Sequence, residues 1–307
     1  MPNTAKITFI IAAGFCLLPG INPAVALGIG ILFGLMGQNP WPQLSARASG
    51  ILLQTAVVGL GFGLPLAQVW QVGRESFSVT IGGILFTLGL GYVLGRLLHI
   101  PARTSILIAC GTAICGGSAI AAIAPTIRAR DDESAIALAT VFTLNAIALV
   151  LFPWVGHYLS MGQEQFGTWA GIAIHDTSSV VGAAASYGDI ALERATTVKL
   201  TRALWIVPLA LAASTLTRTG QRVKIPLFIV LFIAAAAIHT LFPQAQPVWQ
   251  ILTTGAKHIL VLSLFFIGSG LSRTLLRQVG LRTFTQGGLL WLAISGITVM
   301  LVQMGII

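Results

Sequence analysis

Residues 111–124 read GTAICGGSAIAAIA, and residues 171–184 read GIAIHDTSSVVGAA. Shifted by 60 positions, the two strings share Gly111/Gly171, Ala113/Ala173, Ile114/Ile174, Ser118/Ser178 and Ala124/Ala184. Both place small and hydroxyl residues inside apolar sequence, and each carries a helix interrupter at its middle: Gly116-Gly117 in the first, Asp176-Thr177 in the second. Non-helical backbone at membrane depth is tolerated only where it is buried in protein or lines a cavity. Paired interrupted segments are the clearest sequence pointer to a transporter's binding site. Small residues also let membrane helices pack closely, but close packing gives no reason for a carboxylate in the middle of such a segment.

The surrounding composition sets the class. Of 307 residues, 56% are hydrophobic and 8% charged, against about 25% charged in a typical soluble domain. The expected fold is therefore an all-α polytopic membrane protein. The net charge of +9 does not call for nucleic acid, because membrane proteins gather Lys and Arg in cytoplasmic loops and no basic run here is interleaved with aromatics. Cys16, Cys110 and Cys115 all lie in apolar sequence, which argues against a disulfide framework. Residues 7–18 lead through Pro19-Gly20 into another apolar run without a small-x-small cleavage site, and are read as a retained span.

Apolar segments fall near 7–18, 21–37, 47–66, 76–98, 103–127, 133–155, 166–188, 197–217, 225–243, 249–271 and 284–305. That is about eleven helical segments, most close to the ~20 residues a bilayer crossing needs, in a single transmembrane domain covering 1–307. Two arrangements are open. With eleven crossings, ten basic residues (Lys6, Arg47, Arg96, Arg103, Arg218, Arg222, Lys224, Arg273, Arg277, Arg282) face Arg74, Arg128, Arg130 and Arg194 across the membrane. With nine crossings and two re-entrant hairpins at 103–127 and 166–188, Arg128 and Arg130 join the majority, as the positive-inside rule prefers. The hairpins then enter from opposite faces, as inverted repeats do, and their breaks meet near the midplane. Both arrangements put the N-terminus in the cytoplasm and the C-terminus outside.

A second echo pairs 50–73 with 257–280 through Leu53/Leu260, Gly61/Gly268, Gly63/Gly270, Leu64/Leu271 and a closing Gln-Val-Gly. Offsets of 60 and 207 do not come from one collinear duplication: either the second half is permuted or one echo is chance.

Ionisable groups at depth are few, and each costs about 2.5–3.5 kcal/mol at a bilayer centre on insertion scales. His175 and Asp176 sit inside the second break, Lys199 and Arg202 open the next span, Lys257 and His258 lie in TTGAKHILVL, and His239 snorkels at a span end. Asp176 is the one carboxylate inside a hydrophobic segment, and Lys199 or Arg202 is its expected partner. Such a pair reads either as a packing device or as part of a site with surplus positive charge. In the second reading Gly116, Gly117 and Ser118, with Thr177, Ser178 and Ser179, supply helix-end N–H groups and hydroxyls to an anion. Lys199 and Arg202 then attract it, while His175, which titrates near neutrality, and Asp176 carry the coupling.

The strings GTAICGGSAIAA and GIAIHDTSSVVGAA, with VKLTR downstream, resemble the YeiH-type membrane proteins, a family labelled as sulfate exporters; the similarity covers nearly the whole chain. More distantly, CGGSAIAAIAPTIRARDDESAIALATVFTLNAIALVLFP is similar to the broken-helix region of sodium/bile-acid symporters. That resemblance implies a broken-helix fold of the cation/proton antiporter and anion transporter superfamily.

The expected function is secondary active transport of a small anion across the cell's inner (plasma) membrane, sulfate or a related sulfur oxyanion or sulfonate by the family label, coupled to protons or sodium. Its expected partners are that anion and the lipid bilayer. No cofactor, metal or nucleic acid is expected, and a homo-oligomer stays open. A passive anion channel is the first alternative. An intramembrane hydrolase built on Cys115, His175 and Asp176 is the second, although adjacent His and Asp side chains on one segment point in different directions.

Overall fold

The computed structural model describes residues 3–18, 20–217, 226–270 and 280–307. Among the described residues all regular structure is helical. The elements are α1 (Asn3–Phe15), α2 (Pro23–Leu35), α3 (Pro42–Gly61), α4 (Leu66–Leu97), α5 (Ala102–Ala113), α6 (Gly117–Ile123), α7 (Asp131–Tyr158), α8 (Gln163–Ala173), α9 (Thr177–Tyr187), α10 (Asp189–Ala203), α11 (Ile206–Thr217), α12 (Leu227–Leu241), a 3-10 turn at Pro243–Ala245, α13 (Gln246–Ser269) and α14 (Leu281–Gln303).

The eleven expected segments are all present but are not alike. Among the described residues six helices or helix pairs are long and apolar enough to cross a bilayer: α3, α4, α7, α10 with α11, α13 with its preceding 3-10 turn, and α14. Helices α1, α2 and α12 are apolar but shorter, and the two interrupted segments form α5–α6 and α8–α9. The span expected to open at 197 begins earlier, at Asp189. Its first turns, DIALERA, carry the charges that made them look like a loop, yet they are helical because Arg194 pairs with Glu75 at 2.8 Å and donates to Thr168 Oγ1 at 3.0 Å. Pro208 explains the break between α10 and α11: it has no N–H for the carbonyl of Leu204, four residues back, and that carbonyl accepts from Val207 instead.

The chain forms two compact units, residues 1–71 with 226–275 and residues 72–225 with 276–307, so the boundary falls inside α4. In the first unit α13 packs along α2 and α3, and α3 also packs on α12. A Cβ on Gly268 would lie 2.6 Å from the carbonyl oxygen of Leu27, and one on Gly61 would lie 2.7 Å from that of Phe232. These repeat-equivalent glycines thus let helix backbones touch. Helix α1 is held by an aromatic cluster in which Phe9 meets Phe33, Trp41, Phe265 and Phe266. Asn39 ties the α2–α3 turn to α13 through Ser269.

The second unit holds both interrupted segments, and the second of them is a hairpin. A continuous helix would put Tyr187 about 36 Å from Gln163 at 1.5 Å per residue. Instead the Tyr187 hydroxyl donates to the carbonyl of Met161 at 2.6 Å, its ring stacks on Phe166 at 3.8 Å, and Gln163 Oε1 accepts from the backbone of Ile190 at 3.0 Å. Helix α9 therefore returns to where α8 began. From there α10 runs parallel to α8, with Gly167 against Arg194 and Gly171 against Val198.

The first segment turns back in the same way, from the other end. Ile120 of α6 lies over Gly111 of α5, and the carbonyl of Thr126, just past α6, accepts from Thr217 at the far end of α11. Helix α4 connects the two ends: Glu75 meets Arg194 beside α8, while Gly91 accepts from Ser105 near the start of α5. The two hairpins thus enter the second unit from opposite ends. Arg96, Arg103, Arg128 and Arg130 share one end, and Arg74 and Arg194 lie at the other. Arg218, Arg222, Lys224, Arg273 and Arg277 lie outside the described residues.

Both offsets now have a structural meaning. Shifted by 60, α5, α6 and α7 map onto 162–173, 177–183 and 191–218, matching α8, α9 and α10–α11. Shifted by 207, α2, α3 and α4 map onto 230–242, 249–268 and 273–304, matching α12, α13 and α14. The duplication covers both units, and its second copy is permuted: it starts at the broken segment and ends with the elements that open the first copy.

Candidate functional site

The two breaks fall in identical register. Helix α5 ends at Ala113 with Ile114 as its C-cap, and α8 ends at Ala173 with Ile174 as its C-cap. Helices α6 and α9 then start after Gly116 and Asp176. These two N-caps meet: Gly116 has φ +67°, and a Cβ there would lie 2.9 Å from Asp176 Cβ. The tips at 115–118 and 175–179 are brought together, as the hairpin arrangement requires.

Each tip has two chemically opposite sides. The ends of α5 and α8 leave carbonyls without intrahelical donors, where the helix dipole is negative. Lys199 and Arg202, both fully buried, serve these carbonyls. Lys199 Nζ donates to Ile174 O at 2.5 Å, with Ile114 O and His175 O each at 3.5 Å. Arg202 Nε donates to Ala113 O at 2.8 Å, and its two terminal nitrogens donate to Ile172 O and Thr112 O. Two side chains from one helix thus bind the ends of both hairpins.

This overturns the expected ion pair. No salt bridge among the described residues joins Asp176 to Lys199 or Arg202; Asp176 Oδ1 instead caps α9, accepting the N–H of Ser179 at 2.9 Å. The reason is competition at close range: each cation finds several fixed carbonyls, while the carboxylate finds its own helix N-terminus. Lys199 and Arg202 are also not at the start of a span but well inside α10. Lys257 belongs to α13 in the first unit.

On the other side the tips open. Ser118 is exposed, Gly117, Asp176, Thr177 and Ser178 are half-buried, and Ser179 is buried. The residues bearing the Ser118, Thr177 and Ser178 hydroxyls are thus partly or fully exposed, while Lys199 and Arg202 are buried. His175 is buried, and neither ring nitrogen has a hydrogen-bond partner. No hydrogen bond among the described residues joins it to Cys115, which is buried.

Helix α7 contributes residues that the motif reading passed over. A Cβ on Gly117 would meet Phe142 and Leu138, which places this stretch of α7 at the first tip. Within a turn of Phe142, Thr143 and Asn145 are buried, and Thr143 Oγ1 and Asn145 Nδ2 have no partner, as is true of Thr112 Oγ1 and Thr196 Oγ1 nearer the cations. The signal in the sequence is Thr140, Thr143 and Asn145 within the apolar run AIALATVFTLNAIALVLF.

A family model described as Conserved hypothetical protein 698 matches residues 8–287. Among similar curated proteins, a UPF0324 membrane protein of Geobacter sulfurreducens is 51% identical over 98% of this chain and 97% of its own length. The chain belongs to the UPF0324 membrane protein family. Other family members are similarly near: one from Bdellovibrio bacteriovorus is 47% identical over 98% of this chain and 95% of its own, and one from Photobacterium profundum is 48% identical over 94% and 88%. The YeiH-type resemblance of the broken-segment motifs agrees with this membership. No solved structure matches the chain.

Proposed function

We propose that this UPF0324 protein is a secondary active transporter of a small anion in the bacterial inner membrane. The observation that carries the reading is the meeting of two oppositely entering hairpins, tip to tip, with hydroxyls and helix N-termini on their open side and two fixed cations on their buried side. Opposed hairpins in an inverted repeat are the architecture of alternating access, in which one bundle rocks against another around a fixed site. Gly117, Ser118, Thr177 and Ser178 are the groups in reach of the substrate, and Gly116 lets the tips touch.

Lys199 and Arg202 act at second hand: they neutralise the carbonyl ends and leave a positive field at the open side. Asp176 places a carboxylate within that field. An anion binding beside it favours the protonated acid, so proton uptake at Asp176 accompanies anion binding and supplies the coupling, with His175 next to it in the chain as the second titratable group. Sulfate, sulfite and small sulfonates are the first candidates by family label.

Purified protein in proteoliposomes tests this by uptake and efflux of sulfate, sulfite, sulfonates and carboxylates. Flux that saturates and follows an imposed proton gradient is expected. Flux that is non-saturating and indifferent to gradients would make the protein a channel, and no flux of any anion would remove the reading.

A further inference from the structure

We infer that Lys199 and Arg202 are resident cations filling a carbonyl site that would otherwise bind a mobile alkali cation, so that this protein works without sodium. The site is built from backbone alone. Six carbonyl oxygens, those of Thr112, Ala113 and Ile114 from one tip and of Ile172, Ile174 and His175 from the other, converge on the two side chains. Among the described residues no carboxylate forms a salt bridge with either. Converging carbonyls at the negative ends of two half-helices form a cation site whatever fills it. Lys199 Nζ faces carbonyl oxygens from both hairpins at once, Ile174 O at 2.5 Å and Ile114 O and His175 O at 3.5 Å.

The two copies of the repeat differ at these cations. At the 60-residue offset, Lys199 and Arg202 correspond to Ala139 and Phe142 of α7, which bring no charge. One copy of the repeat therefore supplies both cations for both tips. Because they are tethered, they stay through every transport cycle, leaving the coupling to groups on the open side.

Only the consequence for coupling rests on the transporter reading; the cation site itself is tested in detergent, without flux. Thermal unfolding of wild type, Lys199→Ala and Lys199→Met is measured in NaCl and in equal choline chloride. Wild type is expected to unfold at the same temperature in both salts. Lys199→Ala opens a space among the carbonyls, and sodium should raise its unfolding temperature saturably, by about 2–5 °C, as expected for a ligand that binds only the folded state. Lys199→Met, which fills the space without a charge, should not respond. A Lys199→Ala protein that melts alike in both salts overturns the inference, as does a wild type stabilised by sodium. If Lys199→Ala cannot be purified in either salt, wild type decides: sodium-dependent stability refutes the proposal, and equal melting in NaCl, LiCl and choline chloride upholds it.

Discussion

Gly116 and Asp176 occupy equivalent positions in the two copies of the repeat, cap the two returning helices, and touch each other at the centre of the second unit. Gly116 holds φ +67° and ψ −125°, a conformation that side chains rarely adopt, and an added Cβ would stand 2.9 Å from that of Asp176 and 3.3 Å from its Cα. Gly116→Ala therefore meets backbone strain and a clash together. It should lower stability by about 1–3 kcal/mol and cost most of the anion flux. Gly117→Ala meets the far end of the Phe142 ring and, at 3.4 Å, Leu138 Cδ2, side chains that can shift, and should keep its stability. Thermal melts and proteoliposome flux on the pair check this; equal sensitivity would show that the Gly116–Asp176 contact is not what positions the tips.

The hairpin topology has a direct chemical test. With the native cysteines removed, single cysteines at 103 and 128 should react with a membrane-impermeant maleimide from the same face of the membrane, and one at 163 from the opposite face. By the charge distribution the first pair is cytoplasmic. Labelling of 103 and 128 from different sides would mean that α5–α6 crosses.

Asp176 has a structural role that separates from its charge. Asparagine caps a helix as well as aspartate does, whereas alanine costs about 1 kcal/mol. Asp176→Asn should melt near wild type while transport loses its dependence on the proton gradient, and Asp176→Ala should lose both. A gradient-dependent Asp176→Asn carrier would place the coupling elsewhere, with His175 the next to test.

Lys199 and Asp176 form no salt bridge among the described residues, and a double variant tests whether they act as a pair. Lys199→Met leaves buried carbonyls of Ile114, Ile174 and His175 without a donor, each worth about 1–3 kcal/mol when orphaned. Adding Asp176→Asn relieves none of this, so the double variant should be no more stable and no more active than Lys199→Met alone. Recovery in the double variant would restore the ion pair expected from sequence.

Arg194 and Glu75 form a partly exposed pair at 2.8 Å, far from the tips along α10. Glu75→Gln should shift stability by under about 1 kcal/mol and leave flux unchanged. A large loss of flux would give that end of the second unit a gating role.

Much of this was legible in the chain itself. The 60-residue echo placed both breaks, down to the shared Ala113/Ala173 ends, because helix interruption is a local property of Gly-Gly and Asp-Thr within apolar sequence. The length and polarity of the runs gave membrane helices, because a bilayer leaves the backbone few other ways to satisfy its hydrogen bonds. What tertiary structure decided was direction and partnership. Whether a broken segment continues or returns depends on contacts such as Tyr187 to Met161 and Thr217 to Thr126, which join residues far apart in the sequence. Asp176 and Lys199 looked like a pair because sequence shows charges but not the orphaned carbonyls that compete for them, and those appear only when two helix ends are brought together.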